Sequence, residues 1–229
     1  MSEVKHARPQ TENEEIIERA KDFWSKYNRL IVSICGAIII LGGGYLAYKY
    51  LVKAPKELKA NDALFKAEDY FQKDSLKQAL QGDGQYPGFE KVISQYGGTE
   101  AGNLAKYYAG ASYLRMGDNT KAVKYLKDFS TDAKQIQARA YKLLADACAN
   151  QGKNSDALNY YKKAAHEFEE DDANSSQYLF MAAYFADRVM NDKKQAIDLY
   201  KEIKNKYPNT QYGFEADKYL AQAGVYSVE

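Results

Sequence analysis

Two histidines, two cysteines and one run of carboxylates are the side chains best suited to chemistry in this 229-residue chain, and their spacing works against it. His6 and His166 lie far apart, and no His-x-x-x-His or Cys-x-x-Cys pair brings either type into a metal-binding set. Cys35 falls within an apolar stretch and Cys148 in the polar remainder, so that remainder has no internal disulfide to form. Glu167, Glu169, Glu170, Asp171 and Asp172 form an acidic run without the alternating ligands and distal Glu of a calcium loop, and read as a solvated helix end and loop. The cluster Gly82-Asp83-Gly84-Gln85-Tyr86-Pro87-Gly88 reads as a turn, because no Lys-Ser/Thr follows it and no strand precedes it. A Gly-x-Ser-x-Gly elbow is absent, and Asn174-Ser175-Ser176 fits only a short glycosylation sequon. The expectation is a non-enzyme with no cofactor and no metal. Lys plus Arg number 32 against 31 Asp plus Glu, which leaves no basic excess for a phosphate backbone and excludes nucleic acid as the expected partner.

What remains is recognition by surfaces, and 21 tyrosines against 9 Phe and one Trp supply amphipathic faces for it. Three segments share a pattern 35 to 39 residues apart: 103–136 with Gly110, Tyr113, Gly117 and Ala122; 138–172 with Tyr141, Leu144, Ala145, Gly152, Ala157 and Tyr161; and 177–210 with Phe180, Ala183, Ala196, Tyr200 and Pro208. Aligned on Ala122, Ala157 and Ala196, they reproduce the spacing of tetratricopeptide repeats, each a helix hairpin. The third departs by placing Tyr184 and Asp187 where a small and an aromatic residue are usual, and the first by Lys106 at a large apolar position. A longer match supports the array: Tyr96-Gly97-Gly98-Thr99 with Gly102, Ala105 and Tyr108 recurs as Tyr207-Pro208-Asn209-Thr210 with Gly213, Ala216 and Tyr219. Residues 57–99 then read as a degenerate leading repeat and 213–223 as a closing helix. The expected fold is an all-α superhelix whose first helices line a concave groove. By register, Tyr107, Arg139, Lys142, Asp146, Tyr178, Met181, Phe185 and Arg188 face that groove, while Tyr113, Tyr141, Leu144, Ala145, Cys148 and Phe180 belong to the core. Aromatic faces, a Met and charges of both signs suit a peptide or protein partner.

The array is preceded by LIVSICGAIIILGGGYLAY, residues 30–48, which carry no charge and would span roughly 28 Å as a helix. A single N-terminal transmembrane helix is expected there, dividing a head, 1–29, from the body, 49–229. The head is too long and too acidic for the n-region of a signal peptide, so the helix reads as a retained anchor. Thr11-Glu12-Asn13-Glu14 has the form of a capping box opening an amphipathic helix, whose Phe23, Trp24 and Tyr27 reach head-group depth. Arg19, Lys21, Lys26 and Arg29 on one flank balance Lys49, Lys53, Lys56 and Lys59 on the other, so charge leaves the orientation open. Ser33, Gly36, Ala37, Gly43, Gly44 and Ala47 form a small-residue stripe suited to close packing against another membrane helix, from a second copy or from a different protein.

An N-terminal anchor followed by a short repeat array resembles the ancillary SecYEG translocon subunit family, often called YfgM-like. ALFKAEDYF (63–71), GDGQYPGF (82–89) and YGGTEAGNLAKYYAGASYL (96–114) look most like its Bacteroidota branch. The resemblance implies a bacterial inner-membrane protein with its N-terminus in the cytoplasm and its body in the periplasm. It implies as partners the SecYEG channel, a membrane-anchored periplasmic prolyl-isomerase-like chaperone and newly translocated chains. It implies binding rather than catalysis. The alternative reading of the same residues is a self-associating envelope scaffold, for which the glycine stripe would serve a homodimer.

Overall fold

The structure, a computed structural model, describes residues 11–226. His6 and the side chains of Thr11, Glu12 and Asn13 in the expected capping box lie outside what it describes. Among the described residues all regular structure is helical, apart from one isolated antiparallel bridge between Gly82 and Pro87. The chain divides into two compact units, Met1–Pro55 and Lys56–Glu229.

The first unit is built on α1 (Thr11–Tyr48), followed by a π-helical turn at Lys49–Lys53. The amphipathic and apolar segments read separately from the sequence are one uninterrupted helix, because neither Pro nor a capping residue breaks the ladder between them. It is the one described helix long and apolar enough to cross a membrane. None of its described side chains is buried within the unit, and Ile39, Ile40 and Leu41 are each more than 70% exposed.

The second unit comprises α2 (Ala54–Gln72) from Lys56 onward, α3 (Leu76–Gln81), α4 (Phe89–Tyr96), α5 (Glu100–Arg115), α6 (Asn119–Lys127), α7 (Lys134–Asn150), α8 (Asn154–His166), α9 (Asp172–Arg188), α10 (Lys193–Lys206) and α11 (Gln211–Gln222). Hairpins α5–α6, α7–α8 and α9–α10 each close on one residue with positive φ: Gly117, Gly152 and Asn191. Glycine adopts that conformation freely, and Asn is among the few other residues that tolerate it. Small residues then let the paired helices approach. Ala122 and Ala157 are fully buried and Ala196 nearly so, and a methyl group at Gly110 would press on Leu126. Larger residues fill the space between helices: Tyr113 of α5 stacks on Tyr125 of α6 within the first hairpin at 5.7 Å, and Phe89 of α4 on Tyr108 of α5 at 5.5 Å.

The recurring Tyr-x-x-Thr-x-x-Gly has a local physical cause. Thr99 Oγ1 accepts from Gly102 N at 2.9 Å and donates to Tyr96 O at 2.6 Å. Thr210 repeats both bonds with Gly213 N at 3.1 Å and Tyr207 O at 2.9 Å. The chain folds back so tightly that a Cβ at Gly102 or Gly213 would collide with the carbonyl of Tyr96 or Tyr207. The repeated motif is thus an N-cap that fixes the start of α5 and of α11. Glu57 of α2 reinforces the first of these, accepting from Glu100 N at 3.0 Å and Ala101 N at 2.9 Å.

The third hairpin explains its own departures. Its loop, Val189–Asp192, is one residue longer than Gln151–Lys153 of the second. Counting back from Ala196 therefore misses the α9 register by one. The buried alanines of α9 are Ala182, Ala183 and Ala186, while Tyr184 is 45% exposed.

Candidate partner groove

The first helices of the three hairpins bring most of the expected groove residues together. Tyr107 from α5, Arg139, Lys142 and Leu143 from α7, and Gln177, Tyr178 and Met181 from α9 line one open cavity of about 320 Å³. Tyr107 is held edge-on to Tyr108 at 5.3 Å and against Phe129 at 5.5 Å, which fixes its ring at the cavity wall. Burial pushes the phenols of Tyr107 and Tyr178 up, and the Arg139 charge beside both partly offsets this. Both tyrosines stay neutral at ordinary pH; Tyr107 is half-buried at the wall, whereas Tyr178 is 7% exposed and belongs to the core that backs it. Arg139 is exposed, and Met181 is half-buried.

Three expected groove residues take other places. Asp146 is half-buried behind the cavity, bonded to Lys142 Nζ at 2.7 Å and to the Tyr161 hydroxyl at 2.6 Å. It orients Lys142 at the wall. Phe185 lies in the core against Tyr161, at 5.6 Å between ring centroids, because the longer loop shifts α9 by one residue. Arg188 lies at the C-terminal end of α9, where its Nε bonds Asp187 at 3.0 Å. Of the expected core, Tyr113, Leu144, Ala145 and Cys148 are buried, whereas Tyr141 and Phe180 are half-buried. Leu143 and Gln177 were missed; Gln177 sits one residue before Tyr178 and enters the wall through the same register shift.

The wall can receive a side chain or an extended segment by stacking, thioether contact and hydrogen bonding, with Arg139 and Lys142 favouring a partner group that is acidic or an acceptor. Bond-making chemistry has no comparable centre among the described residues. Cys148 is 1% exposed, and burial pushes its thiol up and away from the reactive thiolate. His166, Glu169 and Glu202 bring their ligand atoms within 4.8 Å of one another, a proximity that sequence spacing conceals. Lys206 bonds Glu169 at 2.8 Å and Glu202 at 3.1 Å, so these groups form an ion-pair network between the second and third hairpins. Burial alone would raise the Glu202 carboxyl, but the bonds from His166 and Lys206 outweigh it and hold it below its ordinary value.

The tetratricopeptide repeat family matches residues 104–135 and 177–210, which cover the hairpins α5–α6 and α9–α10. The hairpin between them, α7–α8, has the same build. Two segments of this chain, helical throughout its described residues, thus match tetratricopeptide repeats, and its N-terminal helix is long and apolar enough to cross a membrane. A search of curated proteins returned no match.

Proposed function

We propose that the chain is a membrane-anchored adaptor of protein export. α1 crosses the bacterial inner membrane with the N-terminus in the cytoplasm, and the repeat body works in the periplasm. The anchor docks laterally at the SecYEG channel, and the groove recruits a membrane-anchored prolyl-isomerase-like chaperone or an emerging chain. The observation that carries the interaction role is the wall formed by Tyr107, Arg139, Lys142, Tyr178 and Met181, set on a repeat fold. The glycine stripe supports lateral docking, since a Cβ at Gly36, Gly43 or Gly44 would meet nothing within 4 Å and the face is open to a neighbour. The translocon assignment rests on the family resemblance of the sequence.

The test is affinity purification of the tagged full-length chain in mild detergent, with mass spectrometry of the proteins retained. Recovery of SecYEG with a prolyl-isomerase-like protein is the expected result, weakened by Gly36→Ile with Gly43→Ile at the channel and by Arg139→Glu at the chaperone. Recovery of self-dimers alone would replace this reading with the envelope scaffold.

A further inference from the structure

The second helices of the three hairpins carry a charge that the chain as a whole does not. α6, α8 and α10 hold ten lysines against three carboxylates, Asp156, Asp198 and Glu202, in a protein whose net charge is +1. The first helices, α5, α7 and α9, hold six basic residues against four acidic ones. Lys121, Lys193, Lys204 and Lys206 pair with carboxylates, whereas Lys124, Lys127, Lys162, Lys163, Lys194 and Lys201 make no such ion pair among the described residues. Glu202 is itself held by His166 and Lys206.

The excess is ordered by the repeat. Five residues beyond Ala122, Ala157 and Ala196, the alanines that pack each hairpin, stand Lys127, Lys162 and Lys201. Positions five apart lie about 140° apart around a helix, so this row turns away from the first helices. Lys127 is exposed, and Lys162 and Lys201 are half-buried. Among the described residues no large apolar side chain of α6, α8 or α10 is exposed. Between α8 and α10 the surface dips into an open cleft of about 270 Å³, lined by Ser155, Leu158, Asn159, Lys162, Met190 and Gln195, with no carboxylate in its wall.

These features separate two kinds of partner. A protein interface is built on a desolvated apolar or aromatic centre and is poor in lysine. The wall around Tyr107 and Met181 has such a centre, and this face lacks one. A layer of mobile anionic headgroups needs none, since it supplies negative charge wherever the ammonium groups lie, each lysine favouring contact by about fivefold. A membrane anchor keeps that layer within reach at high effective concentration.

We infer that the lysine face of α6, α8 and α10 rests on an anionic lipid surface. The inference rests on α1 as a membrane anchor, and it leaves the groove, on the first helices, open to a partner protein.

The test is amine acetylation of the full-length chain, read lysine by lysine by mass spectrometry, in nanodiscs of phosphatidylcholine alone and of phosphatidylcholine mixed with phosphatidylglycerol. Acetic anhydride is the reagent, because it is uncharged and is not repelled by the anionic surface. Lys127, Lys162 and Lys201 should label about fivefold more slowly in the anionic discs and recover at about 1 M salt, where the screening length falls to about 3 Å. Lys218 is exposed on α11 and corresponds to Tyr107 in the match between 96–108 and 207–219, so it should label alike in both discs. In the triple variant Lys127→Gln, Lys162→Gln, Lys201→Gln, the remaining Lys124 and Lys194 should lose their difference between discs. Equal labelling of the row in the two discs, slowing that survives high salt, or an undiminished difference in the variant would overturn the inference. So would slowing seen only in membranes that retain their own proteins, which would assign an acidic protein instead. A chain that fails to enter neutral discs would remove the anchor reading and this inference together, whereas entry without salt-sensitive slowing would remove this inference alone.

Discussion

Isoleucine behaves in opposite ways in the two units of this molecule. Ile203 of the repeat body is fully buried, within a core shared by the second and third hairpins, while Ile40 of α1 is 73% exposed, in a helix whose apolar positions find no cover within its own unit. The body has solved the problem of folding in water. It buries alanines where helices touch and tyrosines where layers meet, and leaves hydroxyl groups to bond acids, as Tyr161 does to Asp146. α1 has no such solution. A run of side chains this apolar and this exposed is suited to a bilayer rather than to water. On the proposed function the two units are a partner-binding surface and a tether, each obeying the rules of its own medium.

The sharpest way to break that contrast is to delete the same atoms in both. Ile203→Ala should cost the body about 2–5 kcal/mol, lowering its thermal midpoint, because the surrounding helices cannot close the cavity. Ile40→Ala should leave the body's melting unchanged. Equal losses would mean that α1 is a core helix of the folded domain. A charge sharpens the same distinction: Ile40→Arg should weaken membrane insertion by about 2.5–3.5 kcal/mol, read as the fraction extracted by alkaline carbonate, without altering the body's circular dichroism.

Glycine offers a smaller contrast. Gly213→Ala should destabilise by about 1–3 kcal/mol, since the new methyl group meets the Tyr207 carbonyl at the tight start of α11. Gly43→Ala meets nothing within the chain and should leave chemical denaturation of the body as it was. The smallest effect concerns pH. The folded carboxyl of Glu202 is held below its ordinary value, so its stabilising contribution is present at neutral pH and is lost as acid protonates it in the folded state. Glu202→Gln should therefore flatten the fall in thermal midpoint below about pH 5 and lower the midpoint at pH 7 only modestly. An unchanged acid slope would remove the His166–Glu202–Lys206 network as a clamp between hairpins.

Much of this arrangement was legible in the sequence because it rests on local rules. The hairpins announced themselves through Ala122, Ala157 and Ala196, and the two capped helix starts through a match between residues 96–108 and 207–219. The groove was legible only as far as its register held. Counting from Ala196 carried Phe185 and Arg188 onto the wall, whereas one additional loop residue turns α9 and sends Phe185 into the core. Loop length is a weak signal when the flanking residues, Val189, Met190 and Asn191, do not mark their conformation as Gly152 does. The His166–Glu202 contact was invisible for a different reason. It joins groups whose proximity depends on how successive helices pack, which no spacing within one repeat encodes.

The central claim is that the wall around Arg139 holds a partner protein. A photo-crosslinking amino acid at position 139 of the membrane-embedded full-length chain tests it directly, with position 162 on α8 as the comparison. The account predicts adducts with an export-channel or chaperone protein at 139 that are reduced by Lys142→Glu. Adducts confined to position 162, or none at 139 in intact membranes, would contradict it.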